Sequence, residues 1–229
     1  MKILAVDTAT RTCSAAVMDG TVLLAELTVG NGRTHSRHLM NLIDTVINLA
    51  GLKVEHLDGF AVCVGPGSFT GLRIGISTIK GLAYALHKPV VAISSLDALA
   101  WQCNQTSLLV CALIDARKQE VYSCRYRFAD QEMMKEGSEQ VASPADTLRG
   151  IREPCLFVGN GALLYRALIS SELGELAFLA DDSRHLIRAA TIAGLGLGRI
   201  EQKSTADIKL LVPQYIRKSD AEIKIRCQG

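Results

Sequence analysis

The sequence predicts an α/β protein built from two similar halves, and three observations carry that prediction. A short apolar strand ending in an acid occurs twice, at residues 2–7 with Asp7 and at 108–114 followed by Asp115. Each is followed by a polar turn, residues 8–12 and then Arg117-Lys118-Gln119, and by a returning strand. A strand, glycine turn and helix also recurs: Phe60–Val64 with Gly65-Pro66-Gly67-Ser68-Phe69-Thr70-Gly71, and Cys155–Val158 with Gly159-Asn160-Gly161. The echo is architectural, with little identity, and it predicts two halves that each run a meander into helix and strand.

In the first half, residues 2–7 read as a buried central strand and Cys13–Met18 as its return. Asp19-Gly20 is a hairpin signal, and Thr21–Val29 is the third strand. Asn31-Gly32-Arg33 breaks the pattern. A helix runs from about Ser36 to Ala50, with Gly51 as its C′ residue. Its apolar positions (Leu39, Met40, Leu42, Ile43, Val46, Ile47, Leu49, Ala50) are wider than one core-facing stripe needs. The excess implies a second buried face, against a neighbour in this chain or another.

The glycine turn after strand 60–64 leaves backbone N–H groups at a helix start, an arrangement that suits an anion. It equally lets two backbones pack closely. The helix that follows, to Leu86, favours packing. Gly71, Gly75, Thr78, Gly81 and Ala85 form a small-residue stripe, and each interior glycine costs about 1 kcal/mol against alanine. Close approach of another backbone is the usual compensation. Ile76, Ile79, Leu82, Ala83 and Leu86 supply the apolar side. No Gly-Lys-Ser/Thr follows, so this is not a P-loop. Strand Val90–Ile93 comes next, then Ser94 and Asp97 in a capping-box pattern opening a short helix. Asn104-Gln105-Thr106-Ser107 marks the boundary between residues 1–104 and 105–229.

In the second half, Val121–Phe128 returns beside 108–114, Ala129-Asp130 turns, and a third strand starts at Glu132. Ser143-Pro144-Ala145-Asp146 is a helix start: N-cap serine, proline at the first helical position, acid in the first turn. A helix near Leu186–Ile200 is rich in alanine and glycine. After a charged linker comes Leu210-Leu211-Val212-Pro213-Gln214-Tyr215-Ile216-Arg217. The end carries Lys218, Lys224 and Arg226, and the last residues pack back on the first half.

Bulk composition excludes several functions. A chain of 229 residues with 48% hydrophobic and 21% charged residues is globular. A net charge of +2 and 5% aromatics give no electrostatic mandate or stacking platform for nucleic acid. No apolar run approaches the roughly 18 residues of a membrane span, and the start is too short for a signal peptide. The seven cysteines include no Cys-x-x-Cys pair and sit partly in strands, which suggests reduced thiols in a cytoplasm.

Candidate chemistry is sparse. Asp7 and Asp115 read either as two acids facing across a cleft to position a metal and phosphates, or as caps of their own turns. The turns carry no glycine for a phosphate clamp, so capping is favoured. His35 and His38 lack a third metal ligand and read as a solvated first turn. Ser68 has no Gly-x-Ser-x-Gly elbow and no assignable base. Arg73 points either into the cleft or toward a partner. Arg117, Arg217 and Lys218 are read as solvated.

Ile3–Thr10, the segment Gly65–Gly75, Ile114–Arg117 with Glu120-Val121-Tyr122, and Pro213–Arg217 together resemble the TsaB family nearly end to end. The stretch Gly65–Gly75 is the most specific part. The resemblance implies an actin-like ATPase (ribonuclease H-like) fold, with two duplicated α/β halves and mixed sheets. It implies a non-catalytic, cytoplasmic subunit of the threonylcarbamoyladenosine machinery, without a cofactor or metal of its own. The expected partners are a TsaD-like catalytic subunit, which transfers threonylcarbamoyl to the tRNA adenosine 3′ of the anticodon, and a TsaE-like ATPase. A TsaC-like synthetase supplies the adenylate, and tRNA is met only through the complex. Alone, the family forms homodimers through much the same surface. The resemblance places helix pairing on residues 36–50 and 71–86, here through Leu39, Ile43, Val46, Gly71, Gly75, Ile79 and Leu82. Asp7, Thr8 and Asp115 then mark a vestigial nucleotide cleft. The alternative is an ATPase or phosphotransferase using Asp7 and Asp115; a metallopeptidase is a third reading.

Overall fold

The computed structural model describes residues 1–30, 35–130 and 132–217, residues 35–37 by backbone only. The expectations at Asn31-Gly32-Arg33, at the His35 side chain and at Lys218, Lys224 and Arg226 lie outside these residues.

Strands β1 (Lys2–Asp7), β2 (Cys13–Asp19) and β3 (Val22–Val29) form an antiparallel meander. β4 (Gly59–Gly65) adds parallel to β1, and β5 (Val90–Ser94) parallel to β4. The order is β3-β2-β1-β4-β5. The second sheet repeats it. β6 (Leu109–Arg117), β7 (Glu120–Ala129) and β8 (Glu132–Ala142) form a meander, then β9 (Cys155–Val158) and β10 (Ala177–Leu179) add in parallel. The order β8-β7-β6-β9-β10 matches the first sheet position for position. Central strands are buried throughout because both sheet faces are covered: β4 has no exposed residue.

Helices α1 (His35–Leu49) and α2 (Phe69–Leu86) pack side by side on the first sheet, α1 over β2 and β3, α2 over β4 and β1. α3 (Ser95–Trp101) lies between the halves, touching β4, β5, β6 and β7. Short helices α4 (Pro144–Leu148), α5 (Asn160–Leu164) and α6 (Arg166–Leu173) cover the second sheet. α7 (Ala189–Glu201) leaves the second half and crosses β1, β2, β4 and β5 of the first. Its start is fixed by the Ala189 N–H donating to Ser14 Oγ at 3.1 Å and by an Arg188–Glu26 ion pair.

Local signals account for most element ends. Ser68 caps α2, accepting from the Gly71 N–H at 3.2 Å, so the helix starts at Phe69, three residues before the apolar periodicity begins. Ser143 caps α4 from the Asp146 N–H at 3.1 Å. The C-terminal helix starts at Ala189 instead of Leu186. Ser94 caps α3, but Asp97 does not close a capping box. Its carboxylate accepts instead from Tyr126 Oη at 2.9 Å and pairs with Lys135 at 2.8 Å.

Candidate functional site

The fold brings the end of β1, the glycine turn after β4 and the start of α2 to one place. Asp7 is fully buried there, and its Oδ1 accepts from the Ala9 N–H at 3.0 Å. Its Oδ2 has no hydrogen-bond partner. Burial pushes the carboxyl up to about 7, opposed by the Ala9 hydrogen bond. The glycine turn sits on this junction as a plug. Ser68 N–H donates to Ala9 O at 2.7 Å, and a Cβ on Gly67 would stand 2.3 Å from the same oxygen. Thr8 Oγ1 donates to Gly71 O at 2.7 Å, and a Cβ on Gly75 would meet it at 2.4 Å. Ser95 Oγ donates to Pro66 O from the other side. The Ser68 and Gly71 donors are committed to the chain itself, so the turn is packed against its own fold.

The matching junction in the second half is open. Asp115 is part-exposed, and its Oδ1 accepts from the Arg117 N–H at 2.8 Å, the same i to i+2 cap. Asn160 Oδ1 accepts from the Asp115 N–H at 3.1 Å, and a Cβ on Gly159 would lie 2.2 Å from Leu113 O. Arg117, Lys118 and Gln119 all have positive φ, at 60°, 54° and 58°. Such a conformation is uncommon for side chains of this kind and marks a strained turn.

Asp7 and Asp115 therefore each cap their own turn, the capping alternative of the two read from the sequence. The Asp7 carboxylate is sealed from any cleft, and Thr8 is clamped onto α2. At this junction the Gly67–Ser68 backbone packs directly against Ala9 O.

Most of the expected pairing positions face inward in the folded chain. Leu39, Ile43, Val46 and Ile79 are buried in the chain's own core, as are Gly71 and Gly75; of the seven, only Leu82 is part-exposed. A helix turns the same face inward at every i, i+3, i+4 step, and these positions fall on that face. The small-residue stripe splits by the same geometry. Gly71 and Gly75 meet the Thr8 turn, whereas Gly81 has open space where a Cβ would stand. On α2, Arg73, Ser77, Gly81, Tyr84 and Ala85 are exposed with Ile74 and Thr78 half-buried beside them, and α1 shows Met40 and Leu49 to solvent.

Other candidates resolve simply. Ser68 is spent as a cap. Arg73 points to the chain's end: its Nε donates to Tyr215 Oη at 3.0 Å and its guanidinium lies 3.9 Å over the Phe69 ring. Among the described residues no group of three His, Cys, Asp or Glu side chains could hold a metal. The six described cysteines are all buried free thiols, and burial pushes Cys13 up to about 12. No helix among the described residues is long and apolar enough to cross a membrane. Reasoning from sequence missed the polar cluster joining the halves, where Lys135 also pairs with Glu139 at 2.9 Å and Ser94 Oγ donates to Glu139 at 2.6 Å. It also missed the contacts of Tyr215 and Arg217, which no local pattern announces.

The family described as TsaD, tRNA N6-adenosine threonylcarbamoyltransferase, matches residues 30–225. The tRNA threonylcarbamoyladenosine biosynthesis protein TsaB of Bacillus subtilis is 32% identical, over 98% of this chain and 97% of its own length. The solved structure of YeaZ from Pseudomonas aeruginosa superposes with a TM-score of 0.80 at 30% identity, covering 93% of this chain and 99% of that one. Component A of the (R)-2-hydroxyglutaryl-CoA dehydratase of Acidaminococcus fermentans shares the fold, with a TM-score of 0.52 at 11% identity. The duplicated halves are thus the actin-like ATPase fold.

Proposed function

The chain belongs to the TsaB family of tRNA threonylcarbamoyladenosine biosynthesis proteins, and from that premise we propose that it is a non-catalytic, cytoplasmic subunit that pairs with and activates a TsaD-like enzyme. The partner transfers threonylcarbamoyl to the adenosine 3′ of the anticodon in ANN-decoding tRNAs. A TsaE-like ATPase joins the pair, tRNA is reached only through the assembly, and the chain alone forms a homodimer. One observation carries the non-catalytic part of the reading: the glycine turn fills the β1 junction, leaving Asp7 fully buried and unable to meet a substrate.

The pairing surface in this reading is the outward side of α1 and α2, not their buried side. Met40, Gly81 and Ala85 provide it, with the half-buried Ile74, Thr78 and Leu82 along its edge and Gly81 letting a partner helix approach closely. The test is threonylcarbamoyl transfer by TsaD-, TsaC- and TsaE-like proteins with and without this chain. Activity should require the chain, and Gly81→Leu should abolish both pairing and activation while the monomer keeps its stability. Full transfer without the chain, or ATP hydrolysis by the chain alone that Asp7→Asn removes, overturns the proposal. Gly75→Leu is no test of pairing, because Thr8 Oγ1 already stands 2.4 Å from the Cβ position.

A further inference from the structure

The segment after α7 does more than end the chain. The Ala206 N–H donates to Val90 O at 2.8 Å along the outer side of β5, and Lys80 Nζ of α2 donates to Leu211 O at 3.2 Å. The Gln214 N–H then donates to Val64 O at 2.8 Å, beside the glycine turn. The Tyr215 ring stacks on Phe69, the first residue of α2, with centroids 4.7 Å apart. Two residues further on the chain reaches the other half: Arg217 Nη1 donates to Ala116 O at 2.7 Å and the guanidinium pairs with Glu120.

Ala116 and Glu120 are the two residues that flank the positive-φ turn Arg117-Lys118-Gln119. One guanidinium thus reaches both ends of a strained turn, by a hydrogen bond at Ala116 and by an ion pair at Glu120 in which Nη2 makes no hydrogen bond. The strain of three left-handed side chains persists only where surrounding contacts over-determine it.

We propose that Pro213–Arg217 is a latch, a single cooperative unit that clips the β6–β7 turn of the second half to the start of α2 in the first. Its two anchors, the Tyr215–Phe69–Arg73 stack and the Arg217–Ala116–Glu120 clamp, hold or release together. The inference rests on these contacts alone and stands apart from the pairing proposal.

Amide hydrogen exchange on the full chain tests it, comparing the wild type with Tyr215→Ala, Arg217→Ala and the double variant. The reporters are the Gln214 amide, which bonds Val64 O, and the Arg117 amide, which bonds Asp115 Oδ1. Either single substitution should raise exchange at both amides about tenfold, with little further change in the double variant. Circular dichroism and the exchange of β1 and β4 confirm that the sheets remain folded. Glu120→Gln, which keeps every tail residue, should loosen both reporters to a lesser degree. If each substitution loosens only the amide at its own end, the contacts are independent and the latch is refuted. Unchanged exchange at both reporters refutes it equally.

Discussion

At the end of β1 the Asp7 carboxylate has no exposure, whereas Asp115 at the end of β6 reaches solvent, although both cap the residue two positions on. The sheets that carry them have the same strand order. The difference lies in what covers each junction. The first is covered by the glycine turn, whose backbone bonds Ala9 and whose helix clamps Thr8. The second is packed by the Gly159–Asn160 turn at Leu113 and at the Asp115 N–H, with Arg217 reaching its rim from the tail, and it leaves the Asp115 side chain part-exposed. One topology can therefore hold a keystone in one half and an open, strained turn in the other, because duplicated backbones do not dictate duplicated packing.

The strongest way to sharpen this contrast is pH. Asp7 ionises at about 7 in the folded chain and near 3.8 when exposed. The folded state therefore holds the proton more tightly. The stability this gives is fully present below pH 4 and is lost as pH rises through 7, by up to about 4 kcal/mol. Denaturant midpoints between pH 5 and pH 8 should fall for the wild type and flatten in Asp7→Asn. A wild-type slope that survives in Asp7→Asn would break the comparison.

Next in size is the plug itself. Gly67→Ala puts a methyl 2.3 Å from Ala9 O, a backbone atom that cannot swing away, and should cost about 3 kcal/mol in urea unfolding. Gly81→Ala, on the outward side of the same helix, should instead stabilise the monomer by about 0.5–1 kcal/mol. Equal effects at the two glycines would mean that the turn does not plug the junction. The smallest effect is expected where the site is open. Asp115→Asn keeps an oxygen for the Arg117 N–H and should change stability by less than about 1 kcal/mol.

Much of this was legible in the chain. The repeated strand–acid–turn pattern predicted two halves, and the matching sheet orders repeat it strand for strand. Ser143, Ser94 and Gly51 marked helix ends because caps are local chemistry: the partner lies two to four residues away. The glycine-poor turns favoured capping at Asp7 and Asp115, and each carboxylate accepts from the N–H two residues on. The expected pairing residues other than Leu82 lie on the buried face, and the sequence leaves that open for a physical reason. Periodicity tells which side chains share a helix face, but not whether that face meets its own sheet or another molecule, so Leu39, Ile43, Val46 and Ile79 could be read either way.

By itself, then, the sequence determined the elements, their caps and the duplication, since all three depend on neighbours along the chain. The tertiary structure decided that Gly75 faces Thr8 while Gly81 faces solvent, and that Asp97 serves Tyr126 and Lys135 across the halves. It also decided that Arg217 reaches a turn about a hundred residues upstream in sequence. Those outcomes depend on which surfaces meet after the chain has folded back, and a contact between distant residues leaves no periodicity for a single sequence to display.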